Sequence, residues 1–242
     1  MSLAEEEQGG EVDGRPEDRL LELIEDQVEP DRQQAVRAFA RAYLRRLAPD
    51  GSEGISAEDL LAEVISLFAF ASAREGGVAV RAFNPTREQD GYEPAGSVVE
   101  TNTDDLPFLV DSVSSELEGR GLAVVRLLHP IIAVERDGAG RIRSVREPRG
   151  APHRESVMHF DLDRRLGEAE LADLEQAVAK VLGAVRAAVR DFPAMLERVA
   201  GMSRVARAGA TRYPADEVEE VVDFLAWLQQ GEFVLLGARE YD

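Results

Sequence analysis

Cysteine is absent from this 242-residue chain, which excludes disulfide bridges and thiolate metal sites. Lysine is nearly absent: Lys180 stands alone among 28 basic residues, so any chemistry that needs a lysine has a single candidate. The only histidines, His129, His153 and His159, lie in different segments. They lack the HxxxH spacing that aims two histidines at one ion. No apolar run approaches the ~18 residues of a membrane-spanning helix. The first residues, Met1-Ser2-Leu3-Ala4-Glu5-Glu6-Glu7, lack the basic start and apolar stretch of a secretory signal. Positive charge is in deficit as well. The net charge is −19, and such a surface repels phosphate backbones. The expectation is a cytoplasmic protein that binds neither nucleic acid nor membrane.

What is present divides into regions. Residues 1–30 hold eleven acids and two arginines, and the stretch 1–15 has too few apolar groups to offset the cost of ordering. It reads as a disordered acidic tail. Three helices follow within a helical subdomain over 16–75. The first opens at Pro16 and carries Leu20, Leu21, Leu23 and Ile24. The second, about Asp31 to Leu47, has a stripe of Val36, Phe39, Tyr43, Leu44 and Leu47 at helical spacing. The third opens at Ser56-Ala57-Glu58-Asp59, which resembles a capping box, and stops before Gly76-Gly77.

At Gly77 the period changes from helix to strand, opening an α/β region over 76–242. Val78 to Phe83 and Ser97 to Thr101 read as strands, and about Asp105 to Arg120 as a helix stopped by Gly121. A long apolar strand covers Leu122 to Glu135, broken at His129-Pro130 because proline has no N–H for a ladder. Asp137-Gly138-Ala139-Gly140 is a hairpin turn leading to a return strand, Arg141 to Val145. Glu155 to Asp163 alternates again. A long helix follows with a seam of Leu171, Leu174, Val178, Val181, Val185 and Val189, which Pro193 is expected to break or kink. More helix fills an insertion at about 191–230, and Phe233 to Glu240 reads as a last strand. Without its insertions the order is βαββαβ, a split-βαβ (ferredoxin-like) topology of the α+β class.

Candidate chemistry is sparse. Gly138-Ala139-Gly140 lacks the third glycine and the following helix of a dinucleotide fingerprint, so no cofactor is assigned to the chain itself. Neither a P-loop nor a GxSxG elbow occurs. Lys180 lies on a helix among charged residues and reads as surface. His159 and Asp161 share a strand face, the nearest approach to a metal site. The remaining candidate is the turn carrying Asp104, Asp105, Pro107 and Phe108, between a strand and a helix. Asp104 or Asp105 is expected to cap that helix and Pro107 to preset its first turn. Backbone N–H groups at such a turn also suit an anion.

The wording of that turn, Thr103-Asp104-Asp105-Leu106-Pro107-Phe108-Leu109-Val110-Asp111-Ser112, resembles the N-terminal region of the large bacterial NAD-dependent glutamate dehydrogenases. So do Phe83-Asn84-Pro85, Arg120-Gly121-Leu122, His129-Pro130, Glu155-Ser156-Val157-Met158-His159, and the run from Phe233 to Tyr241, in order along the chain. The resemblance implies an ACT-like, non-catalytic domain with regulatory or assembly duties upstream of a catalytic domain that uses NAD. Its partners would be other domains and subunits of the parent enzyme. ACT domains often carry Asp-x-Pro-Gly-Leu at this turn and bind small amino acids there. Asp105, Pro107 and Leu109 match, whereas Phe108 stands where glycine is usual. The turn is therefore a candidate for either an effector or an interface.

Overall fold

The computed structural model describes residues 16–47, 55–231 and 233–239. The acidic stretch 1–15 lies outside them. The chain divides into two compact units, Met1–Asp105 with Ser114–Ala179, and Leu106–Val113 with Lys180–Asp242.

The first unit opens with three helices: α1 (Pro16–Gln27), α2 (Pro30–Leu44) and α3 (Ala57–Ser72). Pro30 occupies the first turn of α2, where its missing N–H costs nothing. Ser56 caps α3, its hydroxyl accepting the Asp59 N–H at 3.0 Å. The apolar stripes converge as their spacing implies. Leu20, Ile24, Phe39, Tyr43, Leu60 and Leu67 are fully buried, and Phe39 meets Phe68 edge-on at 5.5 Å. The same core includes Leu128, Ile132, Ile142, Val145 and Val157 of the sheet.

The sheet contains β1 (Val78–Phe83), β2 (Val98–Asp104), β3 (Val124–Leu128), β4 (Ile131–Arg136), β5 (Ile142–Arg146) and β6 (Glu155–Leu162). Its order is β1-β2-β6-β4-β5, with β3 also paired to β6 and every pairing antiparallel. β3 and β4 are one path broken at His129-Pro130, as the proline requires. The β4–β5 hairpin turns at Asp137, whose carboxylate accepts the N–H groups of Ala139 and Arg141 at 2.8 and 3.0 Å. Gly140 there takes φ +81°, which glycine adopts freely. All of β6 is buried, and the central pair β2–β6 forms the spine.

α4 (Leu109–Gly119) and α5 (Glu168–Ala208) each run from one unit into the other. α6 (Ala215–Trp227) belongs to the second unit. Three expectations change here. Pro193 does not end the long helix: α5 runs through it for 41 residues. Losing one donor to the fourth residue back is tolerated where Ala, Leu and Arg on both sides favour helix. Residues 233–239 form no strand. β1 already occupies the sheet edge beside β2, and the second unit has no strand among its described residues to offer a ladder. Leu236, Gly237 and Ala238 instead line a groove of about 480 Å³ with Ala184, Ala187 and Met195 of α5. Finally, the second strand is longer and the following helix shorter than the sequence suggests, which bears on the candidate turn.

Candidate functional site

Asp104 is the last residue of β2, paired with Glu155, and the helix begins only at Leu109. Neither Asp104 nor Asp105 caps α4. The ladder continues past the expected turn because Asp105 adds one more rung: its N–H donates to the Arg154 carbonyl at 2.9 Å. Its carboxylate pairs with Arg154 at 3.1 Å. Asp104 pairs with Arg74, just after α3, at 3.2 Å. Both aspartates therefore tie strands and helix together within the first unit. Pro107 and Phe108 form the turn that enters α4, where the Ser112 N–H reaches back to the Phe108 carbonyl. Phe108 has φ +70°, the only positive φ at a non-glycine among the described residues. The backbone thus keeps the conformation glycine would take, at the strain a Cβ brings. Phe108 is 48% exposed.

A second constellation lies in the first unit between α3 and the sheet. Register places Glu100, Asn102 and Asp104 of β2 beside His159, Val157 and Glu155 of β6, on the face that carries the Val157 core contact. His159 is fully buried, with Nδ1 3.1 Å from Glu100 and Nε2 3.1 Å from Asp161. Glu63 of α3 stands 3.6 Å from Nε2. Arg126 of β3 donates to Glu63 at 2.6 Å and to Asp161 at 2.5 Å. Arg81 of β1 meets Glu100 at 2.5 Å and Ser66 at 2.8 Å. The Tyr43 hydroxyl donates to Glu63.

The layer balances only when His159 carries a proton. Three carboxylates, Glu63, Glu100 and Asp161, then face Arg81, Arg126 and an imidazolium. Ionised carboxylates only accept hydrogen bonds, so two of them at the two ring nitrogens require both nitrogens to donate. Burial opposes charging of the ring, but Glu63, Asp161 and Glu100 outweigh it and raise its pKa to about 10. Burial likewise opposes the Asp161 anion, yet the His159 and Arg126 partners bring it down to about 2. Burial and the neighbouring carboxylates push the Tyr92 phenol upward. A smaller cluster adjoins this layer. Arg136 binds Glu155 through both Nε and Nη2, at 3.0 and 2.8 Å, and donates to the Ala71 carbonyl at the end of α3 at 2.9 Å. Arg74 joins Glu155 at 3.1 Å, and Asn102 donates to Glu155 at 3.1 Å.

This arrangement suits cohesion. Its carboxylates are engaged by Arg81, Arg126, Tyr43 and His159. The expected neighbours His159 and Asp161 do meet, but within an ion network. Among the described residues no group of three or more His, Asp or Glu is arranged to hold a metal. His129 is elsewhere, its Nε2 2.8 Å from Ser156 and its pKa lowered by burial and by Arg46. Lys180 is exposed. Sequence reasoning missed Glu63, Glu100 and Arg126. Glu63 left a signal: it lies three residues after Leu60 and four before Leu67, inside the apolar stripe of α3. Many residues behind the resemblance are structural ties. Asn84 donates to the Leu166 carbonyl at 2.9 Å and accepts from Ser97 at 2.6 Å.

Comparison with known proteins agrees with this fold. The family model for the glutamate dehydrogenase ACT1 domain matches residues 39–178, more than half of the chain and all six strands of the sheet. The chain belongs to the glutamate dehydrogenase ACT1-domain family. Within that family, the NAD-specific glutamate dehydrogenase of Halomonas elongata is 32% identical over 232 residues, covering 93% of this chain and 14% of that protein. The enzyme of the same name from Pseudomonas aeruginosa is 35% identical over 166 residues, covering 67% of this chain and 10% of its own length. The Mycobacterium tuberculosis protein is 31% identical over 172 residues, with 69% and 10% covered. This ACT1-family chain thus spans 10–14% of the length of these curated relatives. Among its described residues no helix is long and apolar enough to cross a membrane.

Proposed function

We propose that this chain is the N-terminal regulatory or assembly region of a large cytoplasmic NAD-dependent glutamate dehydrogenase. The parent reaction is the oxidative deamination of L-glutamate to 2-oxoglutarate and ammonia with NAD. The region itself is non-catalytic, and NAD is held elsewhere in the parent. The ACT1-domain match over residues 39–178 carries this reading. It is supported by the way the buried charges of the chain are spent on one another and by the exposed position of its single lysine. Its partners are then other domains and subunits of the parent enzyme. The purified chain, supplied with glutamate and NAD, is expected to form no NADH. Glutamate-dependent NADH formation that co-purifies with the chain through successive columns would contradict the proposal.

One observation favours a second reading, in which the turn of Asp104, Asp105, Pro107 and Phe108 senses a small amino acid. Phe108 holds the left-handed backbone that suits glycine, the residue the ACT motif usually has there. Calorimetry with a panel of amino acids on the wild-type chain and on Phe108→Gly separates the readings. Saturable binding by either protein supports a sensor. Silence in both supports assembly alone.

A further inference from the structure

α6 carries more apolar surface than its own unit uses. Val222 and Leu225 are buried, whereas Val221, Phe224 and Trp227, at spacings of three, are 48%, 55% and 43% exposed. Phe224 stacks on Trp227 with centroids 5.9 Å apart, and Phe233 meets Trp227 edge-on at 5.7 Å. The aromatic cluster is therefore already formed while still facing water. The last turns of α5 add Met202 and Val205, 56% and 73% exposed, and the turn between the helices adds Tyr213 at 63%. A helix that buries one stripe at home and presents a second, adjacent one is shaped for another partner.

Charge points to the kind of partner. From Lys180 to Arg212 the chain has seven basic and two acidic residues; from Tyr213 to Gly231 it has five acidic and none basic. The two arms of this helical pair therefore bear net charges of opposite sign. Arg204 and Arg207 are exposed around Val205, and Glu219, Glu220 and Asp223 are exposed around Val221 and Phe224.

We propose that this face binds a second copy of the same chain. The α5 end of one copy docks on α6 of the other, so that Met202 and Val205 meet Val221, Phe224 and Trp227. Arg204 and Arg207 then lie opposite Glu219, Glu220 and Asp223. A two-fold axis makes each contact twice, as a self-complementary patch requires. A second copy fits better than an unrelated surface because one helical pair supplies both halves of the match. The inference rests on the assembly reading and names the surface that performs it.

Sedimentation velocity of the purified chain over a range of concentrations tests this. A reversible dimer is expected. Phe224→Glu and Trp227→Glu should each weaken it about tenfold or more, as for loss of a buried aromatic anchor. Two charge-reversed chains guard against simple misfolding: Arg204→Glu with Arg207→Glu, and Glu219→Arg with Glu220→Arg. Each alone should associate less than wild type, and an equimolar mixture should recover dimer. A wild-type chain that stays monomeric at every concentration would overturn the proposal and assign the face to another part of the parent polypeptide. A dimer indifferent to all four variants would overturn it as well. A monomer without dehydrogenase activity would remove this surface and leave the regulatory reading standing.

Discussion

Glu63, Glu100, His159 and Asp161 are withdrawn from water in the first unit, while Val221, Phe224 and Trp227 stand in water in the second. Both departures run against ordinary burial preferences, but they differ in kind. The buried charges are matched among themselves: Arg81 and Arg126 reach three carboxylates, and His159 supplies the remaining positive charge. Nearly all of their hydrogen bonds are made within the unit, with Arg126 Nη1 and Arg74 Nη1 the buried exceptions. The exposed aromatics touch one another, yet much of their surface stays in water. The first unit reads as complete in itself, and the second as a surface awaiting cover.

The largest effects should come from breaking the buried layer. Glu63→Ala leaves Arg126 and His159 facing one carboxylate fewer, inside a region from which water is excluded. Breaking a buried pair from one side costs about 3–5 kcal/mol, and urea unfolding should show a loss of that order. A loss below about 1 kcal/mol would mean that water reaches the layer. Gly96→Ala should come next. A Cβ at Gly96 would lie 1.8 Å from the Leu162 carbonyl oxygen, so backbone must move, at a cost of about 1–3 kcal/mol.

The pH profile sharpens the same contrast. His159 has its pKa raised from 6.5 to about 10 in the folded chain. Its contribution is fully present below pH 6.5 and is lost as pH rises through about 10. Asp161, lowered from 3.8 to about 2, contributes above pH 3.8 and loses that contribution as pH falls through about 2. His159→Gln should flatten the alkaline limb of a stability-versus-pH curve. Retention of the full alkaline slope would show that another group causes it.

Smaller effects belong to the turn and the exposed face. Phe108→Gly relieves a left-handed residue with a Cβ, and a gain of about 1 kcal/mol is expected, offset in part by the greater entropy of glycine in the unfolded chain. Trp227→Ser, at a site 43% exposed, should change the stability of the isolated monomer by about 0.5 kcal/mol or less while weakening self-association. A monomer destabilised by several kcal/mol would make Trp227 a core residue and erase the contrast.

Most of the first unit is legible in the sequence. Helical spacing located α1 to α3, Ser56 marked a true cap, and His129-Pro130 marked the break between β3 and β4. Local chemistry decides such features, and sequence displays local chemistry directly. The errors arose where tertiary context decides. Asp104 and Asp105 look like caps, but a ladder partner at Glu155 and Arg154 draws them into the sheet. Phe233 to Glu240 has strand composition, yet the β2 edge it would need belongs to β1. The buried layer was half legible: Glu63 interrupts an apolar stripe, whereas Arg126 finds its partners through register alone. Sequence gave no warning of the positive φ at Phe108, since only the resemblance to a glycine-bearing motif pointed there.

Hydrogen exchange measured on the chain at low and high protein concentration tests the contrast between a completed and an uncovered unit most directly. Amides of β2 and β6 should exchange only through global unfolding and be indifferent to concentration. Amides of α6 and of the last turns of α5 should exchange faster at low concentration and gain protection as concentration rises. Equal protection in both units at every concentration, or fast exchange within β2 and β6, would contradict the account.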